Sequence, residues 1–159
     1  MHKAMLYEKL PNSRVRCNVC QRRCVINSGK FGVCQMYQSR NGLLYNLNYA
    51  QASSVAADPI EKKPLFHFFP GSSAFSLGGW GCNFHCQDCQ NWEISCPEAD
   101  EPWRGSREIP PQVAVELAKR YKCDGIAWTY NEPSIWFEYT LDSAKLAKEN
   151  NLYTVYVTN

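Results

Sequence analysis

The hydrophobic pattern of the chain changes near residue 74. Before it, apolar residues come in short bursts. Leu43-Leu44-Tyr45 and Leu47-Asn48-Tyr49, behind an Asn41-Gly42 turn, predict a small hairpin or meander within residues 43–56. Asp58-Pro59 and then Pro70-Gly71 punctuate the next stretch of chain. From Ala74 the runs lengthen. Residues 74–77 read as a buried strand ending in Gly78-Gly79-Trp80-Gly81, and the polar, proline-containing residues 93–107 read as a long loop. Pro110-Pro111 opens a helix, as proline does in a first turn, with Val113, Leu117 and Tyr121 at helical spacing and Gly125 just past its end. Residues 126–130 read as a second buried strand. A second helix starts near Ser134, with Phe137, Leu141, Ala144 and Ala147 near one face and Asn150-Asn151 at its end. Residues 152–157, rich in β-favouring side chains, complete a third strand.

Strand–helix–strand–helix–strand is the grammar of a parallel sheet covered by helices, so the expected fold class is α/β. Three strands do not close a barrel, and the last would leave an apolar edge unpaired, which natural domains avoid. The chain is therefore expected to be truncated, its sheet continuing beyond residues 152–157. Hydrophobic residues make up 45% and charged residues 20%, a globular composition. No apolar run approaches the ~20 residues of a membrane span, and the first nine residues lack the apolar core of a secretory signal. No membrane partner is expected. The net charge of +2 hides an asymmetry: residues 1–40 carry eight Lys/Arg and one acid, residues 41–159 nine and fourteen. Such a basic head marks either a nucleic-acid surface or the solvated face around a metal knuckle. The second is the favoured reading, and nucleic acid is not an expected partner.

Nine cysteines, an odd number in tight groups, argue against a disulfide framework and for metal or redox chemistry in a reducing cytoplasm. Cys82, Cys86 and Cys89 have the spacing C-x3-C-x2-C. Thiolates suit iron–sulfur clusters or zinc. A cubane normally takes four cysteines; three leave one iron open, as a catalytic metal requires. Two other readings compete. On a helix the three would share one face as small hydrophobes, but Gly78, Gly79, Gly81, Asn83, Gln87 and Asp88 point to a loop. A closed site would recruit Cys96, followed by Pro97, across a gap that departs from the ferredoxin run. The earlier group, Cys17, Cys20, Cys24 and Cys34, has the number for a closed four-thiolate site, typically zinc. Rubredoxin-like iron, an auxiliary iron–sulfur cluster or free thiols are its alternatives. A structural metal would help a head of ~40 residues that buries little core of its own.

The stretch from Asp58-Pro59-Ile60-Glu61-Lys62-Lys63-Pro64-Leu65-Phe66-His67-Phe68-Phe69-Pro70-Gly71-Ser72 through Gly81-Cys82-Asn83-Phe84 and Cys89-Gln90-Asn91-Trp92-Glu93-Ile94-Ser95 resembles the AmmeMemoRadiSam-system radical S-adenosylmethionine (SAM) enzymes. These are relatives of the pyruvate formate-lyase activating enzymes. The resemblance covers nearly the whole chain, from Cys17 to Asn159. It implies a partial parallel β/α barrel of the radical SAM type in residues 74–159 and cysteines that recur at the N-terminus without fixing their metal; the two cysteine groups divide the chain into a small Cys-rich metal-binding module at 1–56, a connecting segment at 57–73 and that core. It implies a [4Fe–4S] cluster on Cys82, Cys86 and Cys89, with SAM on the open iron through its amino and carboxylate groups. Thr129-Tyr130-Asn131-Glu132-Pro133 stands where relatives have a Gly-Gly-Glu-Pro motif that lines the SAM amino group, largely through backbone atoms; Glu132 and Pro133 match it, and Tyr130 and Asn131 replace its flexible residues. Glu132 also suits a helix start. Thr158-Asn159 resembles the start of a Thr-Asn-Gly turn. One position departs: before the third cysteine the superfamily usually has an aromatic residue near the adenine, and here stands Asp88, with Phe84, Trp80 and Trp92 as the aromatics at hand. The implied activity is reductive cleavage of SAM to a 5′-deoxyadenosyl radical that abstracts a substrate hydrogen, with an electron donor such as flavodoxin or ferredoxin. The substrate is unknown; a protein, as for glycyl-radical-activating enzymes, is one class. The competing classes are a closed iron–sulfur or zinc module for electron transfer and a zinc-dependent nucleic-acid-binding protein.

Overall fold

The computed structural model describes residues 1–97 and 105–159. In chain order the strands are β1 (His2–Lys3), β2 (Tyr7–Leu10), β3 (Arg14–Cys17), β4 (Val25–Ile26), β5 (Tyr37–Arg40), β6 (Leu43–Asn46), β7 (Gln51–Ala52), β8 (Ser54–Pro59) and β9 (Ser73–Gly78). After them come α1 (Trp92–Ser95), β10 (Arg107–Glu108), α2 (Pro111–Arg120), β11 (Gly125–Trp128), α3 (Phe137–Glu149) and β12 (Tyr153–Tyr156). The first six strands make two small antiparallel sheets, β2-β3-β4 and β1-β6-β5. The main sheet has the order β12-β11-β9-β8.

Within it β9, β11 and β12 run parallel, in the right order for two consecutive β/α crossovers. All four residues of β11 are buried, the continuous apolar run of a parallel strand covered on both faces. Its first residue must be glycine, because a Cβ on Gly125 would lie 2.0 Å from the Tyr153 ring on β12. The fourth strand was not expected. β8 pairs antiparallel with β9 from Ser54↔Gly78 to Pro59↔Ser73, and so runs across the division expected at residues 56 and 57. Pro59 is its last residue, on the sheet edge, where a missing N–H costs nothing.

The helices sit where the pattern put them, with a different face inward. On α2 the buried line is Pro111, Ala114, Val115 and Ala118, whereas Val113 and Leu117 only flank the core and Tyr121 is exposed. Two alanines let this helix lie close to the sheet. A 3-10 turn, Pro133–Trp136, precedes α3, whose deepest side chains are Glu138, Tyr139, Ser143 and Ala147. The loop expected over residues 93–107 carries α1 at its start and β10, paired with β7, at its end; residues 98–104 between them lie outside the described residues.

The N-terminal sheets share their core with the second half of the chain. Val15, Ile26, Met36 and Leu44 pack with Trp80 and Ile135. Polar groups fasten the same joint. Glu138 accepts hydrogen bonds from Met5 N–H (2.9 Å), the Tyr37 hydroxyl (2.6 Å) and Asn46 Nδ2 (2.8 Å). Among the described residues, no helix is long and apolar enough to cross a membrane.

Candidate functional site

β9 delivers the chain into Gly78-Gly79-Trp80-Gly81, and the residues packed on that lead-in dictate why it is glycine-rich. A Cβ on Gly79 would lie 2.8 Å from Asn48 Nδ2 and 3.0 Å from the Trp136 ring. Gly81 has φ +75°, and its Cβ would fall 2.4 Å from the Cys34 carbonyl oxygen and 2.6 Å from Met36 Cγ. Two asparagines clasp the run. Asn48 accepts from Trp80 N–H and donates to Trp80 O; Asn131 accepts from Gly79 N–H and donates to Gly81 O. Cys82 therefore leaves a fixed backbone.

Residues 82–89 form a loop and not a helix, so the shared-helix-face reading of the three cysteines does not hold. Cys82 is buried, Cys89 half-buried and Cys86 exposed. The Cys82 sulfur accepts the Phe84 N–H at 3.4 Å. Burial pushes this thiol up, and backbone hydrogen bonds from Phe84 and Glu132 partly offset that. Cys89 Sγ donates to Ser95 Oγ at 3.7 Å.

All three cysteines line one open cleft of about 540 Å³, within the range of small-molecule sites. Asn131 and Glu132 line it too, as do Thr158 and Asn159; Pro133 does not. Glu132 is buried, and its carboxylate accepts from Ser134 N–H (2.9 Å), the Thr158 hydroxyl (2.6 Å) and Asn159 N–H (3.1 Å). It thus joins the end of β11 to the end of β12. Tyr130 has φ +75°, a left-handed conformation rare for a bulky residue. Its ring closes over Gly78, where a Cβ would meet it at 2.9 Å. Of the aromatics considered for the adenine, Phe84 lines the cleft, Trp80 is buried in the N-terminal core and Trp92 is exposed outside it. Cys96 is exposed and is not part of the wall.

A second wall was missed from the sequence. Asp58, Lys62, Lys63 and Tyr130 all face the cleft. Lys62 Nζ lies 2.8 Å and Lys63 Nζ 3.8 Å from the Asp58 carboxylate, Lys63 also donates to Ser76 Oγ at 2.7 Å, and the Tyr130 hydroxyl reaches Asp58 at 3.4 Å. Burial raises the Asp58 carboxyl, but hydrogen bonds from Lys62 and Ser76 and the charges of both lysines outweigh it and hold the group below its usual range. Burial lowers Lys63, with Asp58 opposing. The visible signal was the charged pair Lys62-Lys63 four residues after Asp58.

Cys17, Cys20, Cys24 and Cys34 gather around a separate small pocket, together with Arg22 and Asn83. Burial pushes the Cys17 and Cys34 thiols up to about 12. None of the nine cysteines is in a disulfide. Among the described residues, no three Cys, His, Asp or Glu side chains converge closely enough to ligate one ion. A cubane does not require that of Cys82, Cys86 and Cys89, because each cysteine takes a different iron. Three thiol groups opening on a cleft with room for a nucleoside fit such a group.

The chain is 47% identical over its whole length to the protein of Methanocaldococcus jannaschii named "Uncharacterized protein MJ0808", and it spans 47% of that relative's length. No solved structure matches it. Residues 79–159, which contain the cysteine loop, Glu132 and the last two parallel strands, match the Radical SAM superfamily, whose cofactors are a [4Fe–4S] cluster and SAM, and the chain belongs to that superfamily.

Proposed function

We propose that this cleft is the site of reductive SAM cleavage, with Cys82, Cys86 and Cys89 as the cluster ligands. The observation that carries this is that one cleft of about 540 Å³ gathers all three thiols and Glu132. When bound, a [4Fe–4S] cluster supplies one electron that splits the sulfonium into methionine and a 5′-deoxyadenosyl radical, which takes a hydrogen atom from the substrate. The protein holds and orients. The backbone of residues 130–132 would bind the SAM amino group, kept rigid by the Glu132 bonds to Ser134, Thr158 and Asn159. Asn131 serves through its side chain as a clasp on Gly79 and Gly81. Phe84 is the aromatic available to the adenine in place of Asp88.

The parallel run β9-β11-β12 supports the start of a β/α barrel. The Asp58–Ser72 and Gln90–Ser95 segments support the AmmeMemoRadiSam branch, akin to the glycyl-radical-activating enzymes, with a flavodoxin or ferredoxin as electron donor and a protein as one substrate class. Nine free cysteines support a cytoplasmic setting.

Anaerobic reconstitution of the complete protein, followed by an assay of 5′-deoxyadenosine formed from SAM under reduction, tests this. Cys82→Ser, Cys86→Ser and Cys89→Ser should each abolish the product, and Cys96→Ser should retain it. A parent that never cleaves SAM, with a cluster that disappears in Cys96→Ser, would establish a closed electron-transfer site instead.

A further inference from the structure

Two features of the N-terminal head stand outside that chemistry. Residues 1–40 carry eight Lys/Arg against one acid, and their four cysteines do not reach the cleft. We propose that Cys17, Cys20, Cys24 and Cys34 bind one divalent thiophilic metal ion, zinc or ferrous iron, and that this ion braces the loop carrying Cys82, Cys86 and Cys89.

The four cysteines line one pocket of about 10 Å³. That is room for about one water-sized sphere, the size of a single ion. The donor set is wholly soft, which selects zinc or iron over magnesium or calcium. Four thiolates around a divalent cation carry a net negative charge, and the basic head supplies the compensating field. The cysteines line the pocket without converging on one point. Binding would draw the partly exposed Cys20 and Cys24 inward over the buried Cys17 and Cys34.

The same residues touch the cluster loop on both sides of Cys82. Arg22, between Cys20 and Cys24, donates from Nε to the Asn83 carbonyl at 3.0 Å. Asn83 also lines the cysteine pocket. On the other side, the Cys34 carbonyl occupies the space that a side chain on Gly81 would need. An ion that fixes Cys34 and the Cys20–Cys24 turn therefore fixes the backbone before and after the first cluster ligand, and metal binding becomes order in the loop.

The test uses the complete protein with Cys82, Cys86 and Cys89 all replaced by serine, so that no cluster contributes metal or sulfide and SAM cleavage plays no part. Titration with cobalt(II) should saturate at one ion per chain with the absorption of a tetrahedral thiolate site, and zinc should displace it. Adding Cys20→Ser or Cys24→Ser, both at partly exposed positions, should weaken cobalt binding at least tenfold. The parent should hold one zinc or iron beyond its cluster. No second metal in the parent, unchanged cobalt affinity in the serine variants, or inorganic sulfide bound at these cysteines would each overturn the single-ion site. For the brace, Arg22→Ala in the parent should speed loss of cluster absorbance to a chelator several-fold; an unchanged rate would refute it. These outcomes are independent of whether the parent cleaves SAM.

Discussion

Glu138 offers a sharp test of how the two halves of the chain are joined. Its side chain is fully buried, accepts three hydrogen bonds from residues 5, 37 and 46 of the N-terminal part, and sits in the first turn of α3, six residues after Glu132. Glu138→Gln keeps the volume and the acceptor for Met5 N–H. It places an amide NH2 opposite Tyr37 Oη and Asn46 Nδ2, and Asn46 cannot turn its amide to compensate because its Oδ1 holds the Asn48 N–H at 2.8 Å. One buried donor then faces another, and a charge-assisted bond is lost, at a cost of about 2–3 kcal/mol. Glu138→Ala strands all three donors, but it also removes a buried charge that was costly to desolvate, so the net loss should be about 3–5 kcal/mol. Tyr37→Phe removes one of the three donors, and the double variant with Glu138→Gln should show a coupling of about 1–2 kcal/mol. Denaturant unfolding of the complete protein measures all four. A Glu138→Ala variant within about 0.5 kcal/mol of the parent would refute the idea that this carboxylate fastens the two halves.

Two further outcomes rest on the geometry of the loop and of the charged wall. Gly81→Ala combines a left-handed backbone, worth about 1–2 kcal/mol for an L-residue, with a Cβ driven against the Cys34 carbonyl; the total loss should be about 2–5 kcal/mol by the same unfolding assay, and a loss under about 1 kcal/mol would show that the head is not pressed on the loop. Asp58 is held below its usual range, so its stabilising effect is complete above the unfolded value of 3.8 and is lost as the pH falls through its folded value; Asp58→Asn should flatten the acid limb of a Tm-versus-pH series below about pH 4, and identical acid limbs would contradict the ion-paired wall.

The parallel β/α run was legible because its signals are local. Gly78–Gly81, Pro110-Pro111, Asn150-Asn151 and the unbroken apolar stretch through Trp128 mark boundaries by their own backbone preferences. β8 was not, because Ser54, Ala56, Ala57 and Asp58 carry little β propensity and the strand exists only through its antiparallel partner β9. The inward face of α2 was misread for a related reason. The larger Val113 and Leu117 gave the stronger periodic signal, while the alanines one step round the helix made the close approach. The cysteine loop could be read from its spacing together with the glycines before it and the polar residues within it. Its supports could not, since Asn48, Arg22 and Glu138 become meaningful only through partners 32, 61 and 133 residues away.

Tyr130 connects these two kinds of information. Its φ of +75° puts the turn after β11 in the left-handed region, a conformation that glycine adopts most readily. In this chain a tyrosine accepts that conformation at a cost of about 1–3 kcal/mol. The cost is offset by what the side chain reaches, since its ring packs over Gly78 and its hydroxyl meets Asp58 beside Lys62 and Lys63. The backbone strain belongs to the turn that carries Asn131 and Glu132 into the cleft, and the side chain to the charged wall formed by β8 and the lysines after it. One residue thus joins the turn after β11 to that wall through its backbone on one side and its hydroxyl on the other.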